Sequence, residues 1–196
     1  YISGALDPFV KGFDRVGMTP NGVSVLAFGM AVLAAGAFAL GGLEDPVWYA
    51  VAAGLVFLNG WLDIVDGALA REQDVASAGG DLLDHVLDRY ADIVVIAGLA
   101  AGLENYLLGF AAVTGVVMTS YLGTQAQAVG LDRVYGGLVG RADRLAIIGV
   151  VGLLAYPVSG PVVGEFTLVG LLLVFLAVVG HLTALQRFYY SWAALE

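Results

Sequence analysis

Asp63 and Asp66 interrupt an apolar stretch over residues 47–70, and Asp84 and Asp88 interrupt a second over residues 78–103. The second stretch also holds Asp81 and Asp92, so six of the seventeen acids lie in two segments that otherwise read as membrane helices. A carboxylate at the centre of a membrane helix costs about 2.5–3.5 kcal/mol on the insertion scale, and such residues are functional by default. Positions three or four apart share one helix face, which pairs Asp63 with Asp66 and Asp84 with Asp88. A bend over residues 72–77 lies a couple of turns after Asp63 and a couple of turns before Asp84. Antiparallel packing of the two helices is therefore expected to bring the pairs to similar depth. Four facing carboxylates cannot all stay ionised without compensation. Mg²⁺ or Mn²⁺ supplies it, because the donors are oxygens and the chain contains no cysteine to offer a thiolate. Gly67 and Gly80, one on each helix, let a ligand or a neighbouring backbone come close.

The elements that must carry these residues are read from the apolar runs. A spanning helix needs roughly 20 mostly apolar residues. Residues 16–43, 105–131, 145–164 and 166–186 qualify without any Asp, Glu, Lys or Arg, and the two acid-bearing stretches bring the count to six. Thr19-Pro20-Asn21 reads as a helix cap with proline at the first helical position. Residues 41–46 form a turn, residues 130–140 a glycine-rich loop, and residues 156–161 a break containing Pro157 and Pro161. Ile2, Leu6, Phe9, Val10 and Phe13 have the spacing of an amphipathic helix lying on the membrane surface. The expected fold is an all-α integral membrane protein with six transmembrane helices and an N-terminal interfacial helix over residues 1–15. Residues 1–196 are expected to form one domain. The chain opens on Tyr1, so a trimmed or processed start is expected, and no cleavable signal pattern precedes the first apolar stretch.

Composition agrees with this class. Of 196 residues, 60% are hydrophobic and 13% charged, with a mean hydropathy of +0.88, whereas soluble domains are about a quarter charged. The net charge of −9 leaves no basic footprint for nucleic acid. Six spans put both termini on one side. On that side fall all eight basic residues: Lys11, Arg15, Arg71, Arg89, Arg133, Arg141, Arg144 and Arg187. The opposite turns carry only Glu44, Asp45, Glu104 and Glu165. The positive-inside rule places the basic side, both termini and the acid cluster at the cytoplasm.

The full string reads Asp63-x2-Asp66-Gly67-x2-Ala70-Arg71-x8-Gly80-x3-Asp84-x3-Asp88. It resembles the signature of the CDP-alcohol phosphotransferase family at every defined position. Thr19-Pro20-Asn21 is similar to the motif opening that family's first span. The segments Arg141-Ala142-Asp143-Arg144, Gln186-Arg187 and Leu87-Asp88-Arg89-x2-Asp92 resemble its polyol-phosphate branch, which includes phosphatidylinositol-phosphate-type synthases. The resemblance implies a metal-dependent transferase of phospholipid biosynthesis in the cell membrane. A CDP-linked lipid, CDP-diacylglycerol or CDP-archaeol, would give its phosphatidyl or archaetidyl group to a polar alcohol and release CMP. It further implies one or two Mg²⁺ or Mn²⁺ ions on Asp63, Asp66, Asp84 and Asp88, with Asp88 also the general base for the attacking hydroxyl. The cytidine diphosphate site would take Asn21, Asp63, Asp66, Gly67, Ala70, Arg71 and Gly80. Arg141, Arg144 and Arg187 would meet the acceptor's phosphate, and the enzyme would be a homodimer. Members using inositol phosphate usually carry two arginines after Ser-Tyr in the fourth span. Here Ser120-Tyr121 is followed by Gly123 and Gln125, which leaves glycerol phosphate or another polar alcohol open beside inositol phosphate.

The same acids could line the path of a divalent-cation transporter or channel. Such a path has no need of Gly67, Ala70, Arg71 and Gly80, which weighs for the transferase. His85 lies about 100° around the helix from Asp84, and it and His181 are read as packing residues. Asp81 is read as a solvated neighbour, and Asp92 either as a partner for Arg71 or Arg89 or as simple polar packing. Tyr189, Tyr190 and Trp192 read as an interfacial aromatic belt.

Overall fold

A computed structural model describes residues 2–75, 77–132 and 137–196, with side chains from residue 6 onward. Arg133, assigned above to the basic side, lies outside the described residues, as does Ala76 in the bend. Among the described residues seven helices follow in order: α1 (Ile2–Arg15), α2 (Pro20–Leu43), α3 (Val47–Glu72), α4 (Ala78–Gly102), α5 (Tyr106–Ala128), α6 (Arg141–Ala155) and α7 (Leu168–Leu195). Among the described residues there is no strand, only an isolated bridge between Val163 and Phe166.

The helix starts are chemically specified. A hydroxyl or amide oxygen one position before the helix accepts an otherwise unpaired N–H of the first turn. Thr19 accepts from Gly22 N, Ser77 from Gly80 N, Asn105 from Leu108 N and Thr167 from Gly170 N, all within 3.1–3.2 Å. At α6 the arrangement is reversed, and the Asp143 carboxylate reaches back to Gly140 N.

α2 lies against both α3 and α4, α3 lies against α6, and α5 pairs with α7. α3 and α4 make little contact with each other, contrary to the antiparallel packing expected above. The bend therefore opens into a wedge with α2 along its back, and the acids of the two helices meet through their side chains, with carboxylate oxygens of Asp63, Asp84 and Asp88 within 4.8 Å of one another. Small residues permit the close approaches. A Cβ built on Gly98 of α4 would stand 2.2 Å from the Ala35 carbonyl oxygen of α2, and one on Gly180 of α7 would stand 2.9 Å from Gly115 of α5. Gly98→Ala is therefore expected to lower stability by about 1–3 kcal/mol through overpacking. Gly36→Ala, with nothing within 4 Å, is the control and should leave it unchanged or raised. Thermal unfolding of both variants in the same detergent measures the difference.

Four helices, α2, α3, α5 and α7, are long and apolar enough to cross a bilayer. Their outward faces carry Val32, Leu33, Val51, Phe57, Leu107, Phe110, Leu182 and Leu185, all exposed, which suits lipid rather than water. The expected count of six is met only in part. α6 has 15 residues, a rise of about 22 Å against a hydrocarbon core of about 30 Å. It stops at Ala155 because Pro157 cannot continue a helix, so the span expected over residues 145–164 is half helix and half loop. α4 is long enough, but its first half carries Asp81, Asp84, Asp88, Arg89 and Asp92. The helix expected over residues 1–15 is present as α1, with part of its apolar face covered by protein. Val10 is buried with Val23, Ala27, Leu62, Val65 and Leu69, and Phe9 meets Trp61 edge-on at 4.8 Å. Gln73, at the end of α3, donates to Asp14 Oδ1 at 2.8 Å and ties the far end of α1 to the bend.

Candidate active site

A cavity of about 470 Å³ opens between the start of α2, the last turns of α3, the bend and the start of α4. Its walls include Asn21, Asp66, Gly67, Ala70, Arg71 and Gly80. Of the residues expected at a cytidine diphosphate site only Asp63 is missing from this wall. The capped N-termini of α2 and α4 both border the cavity, through Thr19-Pro20-Asn21 and Ser77. Helix N-termini present unpaired N–H groups and partial positive charge, which suits a phosphate. Gly80 keeps one wall low, since a Cβ there would stand 3.3 Å from both Asn21 Oδ1 and Ser77 Oγ. Thr19, Pro20, Ser24, Gln73, Val75, Ser77 and Asp81 also line the space, and the sequence reading did not place them there. Ser24 had a signal: it is a polar residue on an apolar helix, buried, and its hydroxyl lies 2.6 Å from Asp66 Oδ2.

Asp84 links this cavity to a second cluster. Carboxylate oxygens of Asp63, Asp84 and Asp88 all lie within 4.8 Å of one another. Three convergent carboxylates are a hard-oxygen donor set suited to Mg²⁺ or Mn²⁺. Asp66, expected with them, is not one of this trio; it lines the cavity beside Asp84, and its Oδ2 accepts from Ser24 Oγ at 2.6 Å. His85 lies against Asp81, with Nδ1 2.8 Å from the Asp81 carbonyl oxygen and 3.4 Å from its Oδ1, and it is not one of the trio.

The arginines make different contacts. Arg141 Nη1 bonds Asp63 Oδ2, and Nη2 lies 2.8 Å from Asp88 Oδ1. The second contact is a close ion pair without hydrogen-bond alignment. Arg144, one turn further along α6, is 3% exposed and donates through Nη2 to Asp92 Oδ2 at 2.6 Å. That carboxylate is also approached by Arg89 Nη2 at 3.7 Å. Asp92 thus partners Arg144 and Arg89, not Arg71. Arg187 is 8% exposed, and its Nη1 donates to the Thr119 carbonyl at 2.8 Å, tying α7 to α5. Of the three arginines expected to meet the acceptor, only Arg141 bonds the acid trio. Gly123 is buried on α5, at one of the positions where the branch's fourth-span arginines were expected.

Helices of membrane length around an open cavity beside three convergent carboxylates suit an intramembrane phosphotransferase. The profile of the CDP-alcohol phosphatidyltransferase family matches residues 17–188, and the chain belongs to that family. It is therefore a multi-pass membrane transferase of phospholipid biosynthesis. It is similar to the archaetidylinositol phosphate synthase of Methanothermobacter thermautotrophicus, 30% identical over 97% of this chain and 90% of the relative. It is also similar to the phosphatidylinositol phosphate synthase of Mycobacterium marinum, 32% identical over 96% of this chain and 80% of the relative. Among solved structures, the phosphatidylinositol phosphate synthase of Mycobacterium tuberculosis in complex with manganese and citrate superposes with a TM-score of 0.81 at 27% identity, covering 95% of this chain and 88% of that one. The same enzyme with CDP-DAG bound gives a TM-score of 0.79 at 28% identity, covering 95% and 93%.

Proposed function

We propose that this protein transfers a phosphatidyl or archaetidyl group from a CDP-linked lipid to a polyol phosphate, and that the acceptor is inositol phosphate. The observation that carries the reading is the donor cavity, which shares Asp84 with a carboxylate trio that Arg141 also touches. The cytidine diphosphate lies in the cavity along Asn21, Gly67, Ala70, Arg71 and Gly80. Asp63, Asp84 and Asp88 hold one or two Mg²⁺ or Mn²⁺ ions, with Asp66 beside them at the cavity wall. The ions supply charge neutralisation for the pyrophosphate, the chief requirement of phosphoryl transfer. The acceptor hydroxyl attacks the phosphorus that carries the lipid. Its proton passes to Asp88, a new P–O bond forms, and the P–O bond to the CMP phosphate breaks, so CMP leaves with the bonding pair. Arg141 meets the acceptor's phosphate, since guanidinium and phosphate pair strongly when desolvated. Arg144 and Arg187 hold the surrounding helices. The names of the relatives support inositol phosphate, while Gly123 and Gln125 favour glycerol phosphate as the second reading.

The proposed setting is a six-helix bundle acting as one unit over residues 1–196. α4 and the α6–loop segment complete the four clear spans, both termini and the site face the cytoplasm, and two chains form a homodimer. In lipid nanodiscs, CDP-archaeol and CDP-diacylglycerol are to be offered with inositol phosphate, glycerol phosphate and serine, scoring CMP and lipid product. Inositol phosphate is expected to give the highest rate. Product with glycerol phosphate alone would move the acceptor to the second reading, and product with serine alone would remove the polyol-phosphate assignment.

A further inference from the structure

Arg141 engages two of the three carboxylates that converge at the end of the donor cavity. It bonds Asp63 and lies 2.8 Å from Asp88, and both also belong to the trio with Asp84. A guanidinium and a divalent cation on one pair of carboxylates are competitors. Each neutralises the charge the other would neutralise, and each repels the other. The position of Arg141 in α6 also matters. It is the first residue of the helix, directly after the glycine-rich loop that ends at Gly140. Its side chain is 20% exposed, and its buried Nε and Nη2 make no hydrogen bond, so the bond of Nη1 to Asp63 is the one that release must break. Arg144 contrasts with it, pinned to Asp92 in the interior.

We propose that Arg141 is an exchangeable counter-charge. It neutralises Asp63 and Asp88 until a divalent cation takes their oxygens, and it is thereby released to bind the acceptor's phosphate. The proposal rests on the reading of the aspartates as a metal site. It makes metal and acceptor binding mutually favourable, because linkage is reciprocal. It also gives an order: an acceptor phosphate arriving before the metal meets an arginine already engaged by two carboxylates.

Mn²⁺ titration followed by the free-ion EPR signal, on the purified protein without substrates, tests the first half. Arg141→Ala is expected to bind Mn²⁺ about 10-fold tighter or more than wild type, the factor that corresponds to losing one charged hydrogen bond. Arg141→Lys, which keeps the charge but cannot bridge both carboxylates, should fall between them and guards against misfolding of the alanine variant. Inorganic phosphate binding tests the second half. In the wild type it should strengthen when Mn²⁺ is present, and in Arg141→Ala that gain should be largely lost. Equal or weaker Mn²⁺ binding by Arg141→Ala, with wild-type binding intact, overturns the proposal and makes Arg141 an organiser of the acids. Failure of all forms to bind Mn²⁺ overturns the metal reading and the proposal with it.

Discussion

Asp88→Asn is expected to lower CMP release about 10²–10⁴-fold, the usual contribution of a positioned general base, with the CDP-lipid still bound. The substitution keeps the shape of the side chain but removes its negative charge and its ability to take a proton, and it puts an NH2 donor in place of one oxygen. Asp88 lies one turn beyond Asp84 on α4, outside the donor cavity and facing Arg141. A hydroxyl whose phosphate is held by Arg141 would therefore reach Asp88 from the side opposite the nucleotide. Because the Asp88 carboxylate also converges with Asp63 and Asp84, the variant should bind Mn²⁺ more weakly as well. Saturating metal separates the two roles. If the rate stays low at saturating Mn²⁺, Asp88 is the base. Recovery to wild-type turnover would make it a metal ligand only.

What the sequence disclosed and what it withheld follow from the range of the interactions. The motif residues were legible because carboxylates in apolar helices are costly, so their presence is a signal before any fold is known. Caps such as Thr19 were legible because the bond spans three residues. The wedge between α3 and α4 was not, because it depends on α2 packing against both through contacts such as Gly98 on Ala35, more than sixty positions apart in the chain. The fates of the arginines were hidden for the same reason. Nothing in Arg141-Ala142-Asp143-Arg144 distinguishes the residue that reaches the carboxylates from the one that is buried. The difference arises because one helical turn carries Arg144 inward to Asp92. At residues 145–164 the break at Pro157 was legible in the sequence, but the apolar run continues past it, so composition did not show how short α6 would be.

Asp92→Asn is expected to destabilise the protein by about 3–5 kcal/mol, the range for breaking a buried ion pair from one side. Asp92 is 4% exposed and Arg144 is 3% exposed, with 2.6 Å between the bonded atoms. An asparagine retains the volume but leaves the guanidinium with its charge uncompensated. Arg144 Nε already lacks a hydrogen-bond partner, so the bond to Asp92 carries most of the burden of keeping this side chain inside. Arg89, 3.7 Å from the same carboxylate, loses a partner too. The double variant Asp92→Asn, Arg144→Met removes both charges and should recover part of the stability, since the buried guanidinium is no longer left uncompensated. A double-mutant cycle on unfolding in detergent reads the coupling directly, and additivity of the two single changes would refute the pairing. Activity should not recover with stability. Arg144 fixes the first turn of α6 against α4, and Arg141 begins that turn. The repacked variant should therefore fold with a raised KM for the phosphorylated acceptor and a nearly unchanged KM for the CDP-lipid, whose cavity is built from α2, α3 and the start of α4.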